Sequence, residues 1–490
     1  MIPLQFPVGV YRNGTNYQSK GRWFDSNLVR FEDNTIRPIS GWRERSDDAV
    51  VGVVRGVASW KDNSDDIWVA AGTATKLYVY TGAGVQSDIT PAGLTAGRVD
   101  AYFPNGYGNT FYGTSYYGVA RPQTTAPDPA TTWSLDTFGQ YLLACSSDDG
   151  KVYEWQLNTG SVATQVTNAP IDNVGIVVTA ERFLFCLGAG GNPKLVQWAD
   201  RESLTDWTPT ATNEAGDLEL QTTGQIMCAK RVQGQTLIIT TNDAHIAQYQ
   251  GPPYVYGFEK VGSSCDIISK KAVATIDQGA IWMGDGSFHI YSGGGVRELP
   301  CEVSDYVFSG MNTAQVSKVF AMTNSKHSEV WWFYPSKEST ENNRYVVYNY
   351  KEGCWYIGSM VRTAGVDSGA FTVPLMFHSD GKLYDHEVGF DYQGSTPYLE
   401  SGPFELGNGE QVMSITSMIP DEGTQGDVYM ELFSKFYPNG EEYSHGIYNM
   451  SNPTDMRVTA RQVRIRLTAN NNNDWRVGVN RLEVKPGGKR

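Results

Sequence analysis

The 490-residue sequence predicts an all-β fold: a β-propeller of six or seven irregular blades, followed by a small C-terminal β-sandwich. The first observation is composition, since 52 glycines, 28 tyrosines and 13 tryptophans accompany only 19% charged residues. Aromatic side chains pack well on pleated sheets, and glycine supplies the positive φ angles of tight turns. The second observation is a repeated hairpin, and the third is a set of longer alternating strands near the C-terminus.

The repeat is clearest between residues 181 and 308, where one unit occurs three times. Its copies are ERFLFCLGAGGNPKLVQW, GQTLIITTNDAHIAQY and GAIWMGDGSFHIY. Each copy reads as a hydrophobic strand, a polar turn, and a second strand that ends on an aromatic residue. A hairpin repeated about every 40–50 residues is typical of propeller blades.

Seven hairpins of this type occur along residues 51–390, which we assign to the propeller. Their paired strands are 67–71 with 77–80, 140–145 with 152–155, 183–187 with 195–198, 237–241 with 246–249, 280–283 with 288–291, 330–334 with 345–350, and 374–378 with 382–386. The Asp380-Gly381 turn of the last hairpin favours a tight connection, because Asp-Gly tolerates positive φ. The irregular spacing leaves both six and seven blades open.

The segments between and before these hairpins are less regular. Residues 1–50 are expected to form an irregular N-terminal segment with one short hairpin, strands 28–31 and 36–38. The Tyr- and Gly-rich residues 97–133 are interpreted as loops with one irregular hairpin. We expect their tyrosines to pack between blades, and a recognition surface is the alternative. Residues 303–318 predict one short helix, capped by Ser304 or Asp305, with Tyr306 and Val307 facing inward.

Residues 391–490 predict a β-sandwich that is separate from the propeller. The expected strands are 413–419, 428–433, 461–468 and 476–484. In the third strand Val463, Ile465 and Leu467 alternate with Arg464 and Arg466, so one face is apolar and the other basic. We interpret these arginines as a surface for DNA or, preferably, for the acidic body of a neighbouring subunit.

Charge is distributed unevenly along the chain. Residues 457–490 hold nine Lys and Arg against Asp474 and Glu483, whereas the whole chain has a net charge of −14. The first 456 residues therefore carry −21. Such an acidic body argues against wrapping nucleic acid, because affinity for phosphates comes from Lys and Arg. It is compatible with DNA that passes without binding, or with solubility alone.

No catalytic, cofactor-binding or metal-binding residues are predicted. The histidines lack HExxH spacing or close pairing, and they are His245, His289, His327, His378, His386 and His445. The acidic clusters at 62–66 and 148–150 read as turns, and neither a nucleophile elbow nor a Walker loop is present. The cysteines are spread singly without a CxxC pair, and the N-terminal residues MIPLQFPVGVYRNG lack a basic head followed by an apolar run. We therefore expect reduced thiols, no zinc site and no secretion. No apolar stretch approaches the roughly 20 residues of a membrane span.

Several stretches resemble one family of phage proteins. They are GRWFDSNLVRFEDNTIRPISGW at 21–42, KLVQWADRESLTDWTPTATNEAGDLELQT at 194–222, YQGPPYVYGFEKVG at 249–262, VVYNYKEGCWYIGSM at 346–360 and, near the C-terminus, RQVRIRL with NRLEV. They look like the packaged-DNA stabilisation proteins of short-tailed phages, which form the tail nozzle. The resemblance covers most of the chain, although residues 97–133 match nothing in the family.

The resemblance implies a structural virion protein and not an enzyme. It implies a homo-oligomeric ring, a hexamer, which is assembled in the bacterial cytoplasm and attached below the portal and adaptor rings of the tail. Such a ring extends the DNA channel and helps retain the packaged genome, which passes without sequence-specific binding. It also docks a needle or plug and tailspikes or fibres. No cofactor and no membrane are implied.

A second class of function stays open, a carbohydrate-binding or glycan-hydrolysing propeller used in host attachment. A glycosidase needs two carboxylates that face each other across a sugar. Sequence alone does not exclude such a pair, although the repeated Ser-x-Asp-x-Gly-x-x-Trp boxes of sialidase propellers are missing.

Overall fold

The computed structural model describes residues 1–46, 48–102, 127–407 and 409–488. Within these ranges the chain forms eight four-stranded antiparallel sheets, one five-stranded sheet and one two-stranded hairpin. Seven of the four-stranded sheets are the blades of a β-propeller. The predicted all-β propeller is therefore confirmed, and the number of described blades is seven.

The first 50 residues contribute strands to three different parts of the molecule. Their strands are β1 (Ile2–Pro3), β2 (Trp23–Asn27), β3 (Val29–Glu32), β4 (Thr35–Pro38) and β5 (Trp42–Glu44), and a 3-10 turn spans Asn16–Ser19. β3 and β4 pair as the predicted short hairpin. β1 and β2 join the C-terminal sheets, and β5 joins the last blade. Residues 1–50, which were predicted to be irregular apart from one short hairpin, therefore also contribute β1, β2 and β5 to other sheets.

Each of the first six blades consists of four consecutive strands. Blade 1 has β6 (Gly56–Lys61), β7 (Ile67–Gly72), β8 (Leu77–Thr81) and β9 (Gln86–Asp88). Blade 2 has β10 (Trp133–Phe138), β11 (Tyr141–Ser146), β12 (Val152–Trp155) and β13 (Thr164–Gln165). Blade 3 has β14 (Gly175–Val178), β15 (Leu184–Leu187), β16 (Leu195–Trp198) and β17 (Gly216–Glu219).

The remaining blades follow the same antiparallel order. Blade 4 has β18 (Ile226–Val232), β19 (Gln235–Thr240), β20 (Asp243–Gly251) and β21 (Val255–Ser263). Blade 5 has β22 (Val273–Ile276), β23 (Gly279–Met283), β24 (Phe288–Tyr291) and β25 (Val296–Leu299). Blade 6 has β26 (Phe320–Asn324), β27 (Glu329–Pro335), β28 (Asn342–Asn349) and β29 (Cys354–Ser359). Blade 7 has β30 (Ala364–Val366), β31 (Leu375–Phe377), β32 (Leu383–His386) and the N-terminal strand β5.

The propeller closes through its first strands and through β5. The first strands of neighbouring blades contact one another around a complete ring, from β6 to β30 and back to β6. β5 pairs with β32 in the register Trp42 to His386, and the two rings stack with centroids 5.6 Å apart. Arg43 and Arg45, on and directly after β5, both form ion pairs with Asp385 of β32. Residues from the two ends of the propeller thus complete one blade.

Trp133 is wedged between blades 1 and 2. It is fully buried, and its indole Nε1 donates to the Thr73 carbonyl oxygen at 2.7 Å. A Cβ at Gly72 would lie 2.3 Å from Cγ of this ring, and a Cβ at Gly56 would lie 2.7 Å from its Cβ. Both glycines are therefore required by the close approach of the tryptophan.

Two sheets follow the propeller. Their strands are β33 (Tyr398–Ser401), β34 (Met413–Ile419), β35 (Val428–Lys435), β36 (Tyr443–Asn449), β37 (Thr454–Ala460), β38 (Gln462–Ala469) and β39 (Arg481–Pro486). One sheet has the order β1-β39-β34-β37, and the other has the order β2-β33-β38-β35-β36. The predicted strand over 476–484 is wrong at its start, since β39 begins at Arg481 and Val477 before it forms only isolated bridges with Ile36 and Glu422.

These sheets share a core with the propeller. Met430, Val463 and Leu482 belong to the same buried cluster as Trp331 and Trp355 of blade 6. β2 also contacts β29 of that blade, where the Ser26 hydroxyl donates to the Ile357 carbonyl oxygen at 2.7 Å. The C-terminal region is therefore not separate from the propeller, and its being a sandwich stays a prediction.

The predicted helix over 303–318 is divided in two. α1 spans Ser304–Ser309 and a 3-10 turn spans Thr313–Lys318; other 3-10 turns are Ala189–Gly191 and Ser325–His327. Capping by Ser304 or Asp305 is wrong, because Asn13 Oδ1 accepts the Asp305 backbone N–H at 3.1 Å. Val307 is buried as predicted, and Tyr306 is half-buried. In the described part of the chain no helix has the length and apolar character to span a membrane.

Most of the Tyr/Gly-rich segment predicted over 97–133 lies outside the described residues, namely 103–126. Its hairpin and the packing of its tyrosines therefore stay predictions. The described flanks pair through an antiparallel bridge between Tyr102 and Asp128. The Ala101 backbone N–H donates to the Gln315 side chain and its carbonyl accepts from it, at 3.0 and 2.8 Å. The base of the segment is thus fixed to the turn that precedes blade 6.

Candidate functional site

Each histidine lies beside a polar side chain of its own chain. The pairs are His245 with Asp243, His289 with Ser287, His327 with Glu387, His378 with Asp380, His386 with Arg362, and His445 with Ser434. Burial, together with the charge of Arg362, holds the pKa of His386 well below its usual range, so its ring accepts the Arg362 Nε–H. Over the described ranges, no group of three or more His, Cys, Asp or Glu is placed to hold a metal ion.

The cysteines are free thiols in unreactive surroundings. Cys145, Cys186, Cys228, Cys265 and Cys354 are buried, and Cys301 is half-buried. Burial raises the pKa of Cys228 and Cys265 to about 11. A thiol nucleophile needs a lowered pKa, so these groups serve packing.

The acidic clusters seen in the sequence build turns. Asp62 Oδ1 accepts the backbone N–H groups of Ser64 and Asp66, and Oδ2 accepts the Trp68 Nε1–H at 3.0 Å. Asp149 accepts the Tyr153 hydroxyl at 2.5 Å. Side-chain oxygens used in this way fix the connections between strands.

A cavity of about 210 Å³ lies between the N-terminal 3-10 turn and the five-stranded sheet. Phe24, Phe433, Glu400, Glu442 and Arg464 contribute to its wall. Arg464 donates to Glu442 at 2.8 and 2.7 Å and to Glu400 at 2.9 Å, and its guanidinium covers the Phe433 ring. These hydrogen bonds lower the pKa of Glu442. A glycosidase acid needs the opposite shift, so this carboxyl is unsuited to general-acid work.

The same contacts involve the arginines of the basic strand. Arg466 forms an ion pair with Glu400 at 3.0 Å and covers the Tyr398 ring, and Arg464 binds Glu400 and Glu442. Both arginines are therefore paired with carboxylates of their own chain. A contact of this strand with DNA or with a neighbouring subunit stays a prediction.

The five-stranded sheet has one free edge, the strand β36. β2 at the other edge contacts blade 6, whereas β36 pairs only with β35 in the described structure. Tyr443 and Ile447 on β36 are exposed, as are Phe436 and Tyr437 in the preceding loop, and the exposed fraction of Ile447 is 64%. We call these four residues the edge surface. An exposed apolar edge strand favours contact with another chain, since its backbone groups are unpaired on one side.

A second exposed apolar group lies at the tip of blade 4. β20 and β21 have nine residues each and form a long hairpin. Tyr254 at its turn has an exposed fraction of 77%, the largest among the exposed apolar side chains of the described residues. This tip belongs to the stretch YQGPPYVYGFEKVG that carries part of the family resemblance.

Sequence reasoning missed the edge surface. β36 reads YSHGIYN, in which Gly446 has a φ of +79° and shifts the pairing register with β35. This bulge breaks the period-two alternation that marks a strand. The signal that was available is the pair of turns on either side, Asn439-Gly440 and Asn452-Pro453, which delimit an aromatic-rich run of strand length.

No family model and no curated protein sequence matches the chain. Among solved structures it is similar to virginiamycin B lyase from Staphylococcus aureus, with 7% identity and a TM-score of 0.44 over 70% of this chain and 97% of that one. It is also similar to BamB from Moraxella catarrhalis, with 8% identity and a TM-score of 0.38 over 76% and 98%. The WD40 β-propeller domain of Doa1 matches with 10% identity and a TM-score of 0.38 over 71% and 96%. At this level the matches carry no argument about activity.

Proposed function

We propose that this chain is a structural virion protein, the tail nozzle ring of a short-tailed phage. The proposal rests on the resemblance of its sequence stretches to that family. The observation that carries it in the fold is the edge surface, an exposed apolar strand edge on a chain whose histidines, thiols and turn aspartates are engaged internally or buried. Such a chain is suited to assembly and poorly suited to chemistry.

The closed propeller fits the mechanical task. Each blade packs against two neighbours, and β5 ties the two ends of the propeller together, so that the protomer is a stiff block. A ring of stiff blocks resists genome pressure through its interfaces alone. With a net charge of −14 on each chain, the ring repels phosphates, so DNA leaves without binding to the wall.

In this proposal the edge surface contacts the neighbouring copy of the chain. The ring is a hexamer below the portal and adaptor, extends the DNA channel, retains the genome and docks needle, spike or fibre proteins in the virion tail. Tyr443 and Ile447 supply the aromatic and aliphatic contacts that interface cores favour.

The edge surface is tested by a matched pair of variants. Ile447→Asp places a charge on the edge, and Val85→Asp places the same charge on an apolar residue of equal exposure, 62% against 64%, in blade 1. We expect both proteins to fold, Val85→Asp to join the portal–adaptor complex as the wild type does, and Ile447→Asp to fail. Assembly of both variants to the same extent would refute the role of this edge.

The alternative, a carbohydrate-binding or glycan-hydrolysing propeller, has one place in the structure that favours it. The 210 Å³ cavity combines three aromatic rings, those of Tyr17, Phe24 and Phe433, with two glutamates, a composition that suits a sugar. Arg464 holds both glutamates, which argues for binding over hydrolysis. Binding of host polysaccharide that is lost in Phe433→Ala and kept in Val85→Asp would favour this alternative.

A further inference from the structure

The central channel of the propeller contains a small cavity near the end where the first strands of the blades begin. It has a volume of about 30 Å³ and is formed by blades 2 to 5. Ser134, Gly175 and Ala229 of three first strands contribute to its wall. A water molecule needs roughly 10–15 Å³ on this measure, so the cavity has room for a small ion.

Three lysines converge on this cavity. Lys230 comes from β18, and Lys270 and Lys271 directly precede β22 of the next blade. We call them the lysine cluster. Among the described residues none of the three ammonium groups has a carboxylate partner, and the hydrogen bond from Lys270 Nζ to the Val174 carbonyl oxygen is long, at 3.5 Å.

The nearest carboxylates are already engaged. Asp136 pairs with Arg231 at 2.9 Å and accepts the Val178 backbone N–H at 2.9 Å. Asp148 pairs with Arg98 at 2.6 Å. Each of these acids therefore has its own arginine. Burial lowers the pKa values of Lys270 and Lys271 by more than Asp148 raises the first and Asp136 raises the second, so the positive charge of the lysine cluster is compensated only in part.

Partial burial and the repulsion between like charges both act on the lysine cluster. Burial, and after it the charge of Lys230, lowers the pKa of Lys271 to about 7, and burial lowers the pKa of Lys270. The neighbouring Cys228 is a neutral thiol, since burial raises its pKa to about 11. All three lysines are half-buried. Partly buried like charges without a direct ion-pair partner are costly, and a bound anion would offset that cost.

We infer that the cavity is a binding site for a small oxyanion, held by the ammonium groups of Lys230, Lys270 and Lys271. The ligand class is a sulfate, phosphate or carboxylate group of a size that fits between the blades. This site is independent of the nozzle proposal, because it is built from the propeller channel and not from the edge surface.

Calorimetric titration of the full chain with sulfate tests the inference, because sulfate keeps its charge while the lysines titrate. We expect one site per chain, with an affinity that falls about tenfold for each pH unit above 7, since binding requires protonated Lys271. Lys271→Met should weaken binding at least about tenfold, which corresponds to the loss of one strong charge pair. Lys337→Met, a change at an exposed lysine, should bind as the wild type does.

Thermal unfolding shows whether a loss of sulfate binding in Lys271→Met comes from the missing charge or from a failure to fold. Methionine fills the space of the lysine without a charge, so Lys271→Met should unfold no earlier than the wild type in sulfate-free buffer. Low sulfate should raise the Tm of the wild type and of Lys337→Met, and leave that of Lys271→Met unchanged. No sulfate binding by the wild type below pH 7, or equal stabilisation of all three proteins, would overturn the inference.

Discussion

Replacing Arg30 by methionine should destabilise the molecule more than any surface charge deletion. Arg30 lies on β3 and is almost fully buried. It donates to Glu329 at 2.8 and 3.1 Å and to Glu387 at 3.1 Å. Glu329 is fully buried. The arginine therefore links the N-terminal hairpin to blade 6 and to the segment that follows blade 7.

The expected loss of free energy of unfolding follows from the two carboxylates, Glu329 and Glu387, that remain buried when Arg30 is replaced. Burial raises the pKa of Glu329. At Glu387 burial also raises the pKa, but the charge and hydrogen bond of Arg30, the charge of His327 and the Ser40 backbone N–H together lower it to about 2. Without the arginine, two enclosed carboxylates repel each other, and removing one partner of a buried ion pair costs about 3–5 kcal/mol. Arg30→Met should lose about that much free energy of unfolding.

Arg37→Met is the matched control. Arg37 faces Arg30 across the same hairpin and pairs with Glu32 and Asp474, but these partners are partly exposed. An exposed pair contributes about 0–1 kcal/mol, so this variant should unfold near the wild type. Urea unfolding followed by tryptophan fluorescence measures both. Equal losses in the two variants would refute the reasoning.

Three further changes test the packing and its pH dependence. Gly41→Ala should cost about 1–3 kcal/mol, because its Cβ would lie 2.3 Å from the Asp391 carbonyl oxygen beside β5; an unchanged Tm would contradict this. Trp133→Ala should cost about 3–5 kcal/mol by leaving a cavity between blades 1 and 2, and a loss below about 1 kcal/mol in urea unfolding would speak against the wedge. Burial, and after it Arg30, lowers the pKa of His327 from 6.5 to about 4. The contribution of the neutral His327 ring to the free energy of unfolding is therefore present above pH 6.5 and lost as pH falls through 4. His327→Gln should therefore show a smaller loss of Tm over that range, and identical pH profiles would exclude this role.

The sequence predicted the blades because their middle strands carry the clearest signal. In each blade the predicted hairpin is the second and third strand, which are apolar and joined by short turns. The outer strands β17 and β25, GDLE and VREL, are mostly exposed and offer few apolar residues to recognise. The inner strands line the channel, so that polar residues interrupt them, as in WSLDTF of β10.

Local sequence patterns could not predict the interactions between distant parts of the chain. β5 pairs with β32 more than 300 residues away, and β1 and β2 pair with strands of the C-terminal sheets. The local sequence around Trp42 or Trp23 does not indicate which strands will pair with β5 and β2. The lysine cluster also depends on packing between blades, since Lys230 lies in blade 4 and Lys271 directly before blade 5, and the two meet only when these blades pack together. The edge surface was not predicted, because the bulge in β36 interrupts the alternation that marks a strand.

The most direct test of the proposed function is the mass of the assembly, measured by native mass spectrometry on the wild-type protein with and without its portal–adaptor complex. We expect a monomer for the protein alone and a hexameric ring on the complex. A protein that never joins the complex, and instead binds or cleaves host surface polysaccharide, would contradict the nozzle and favour the carbohydrate alternative.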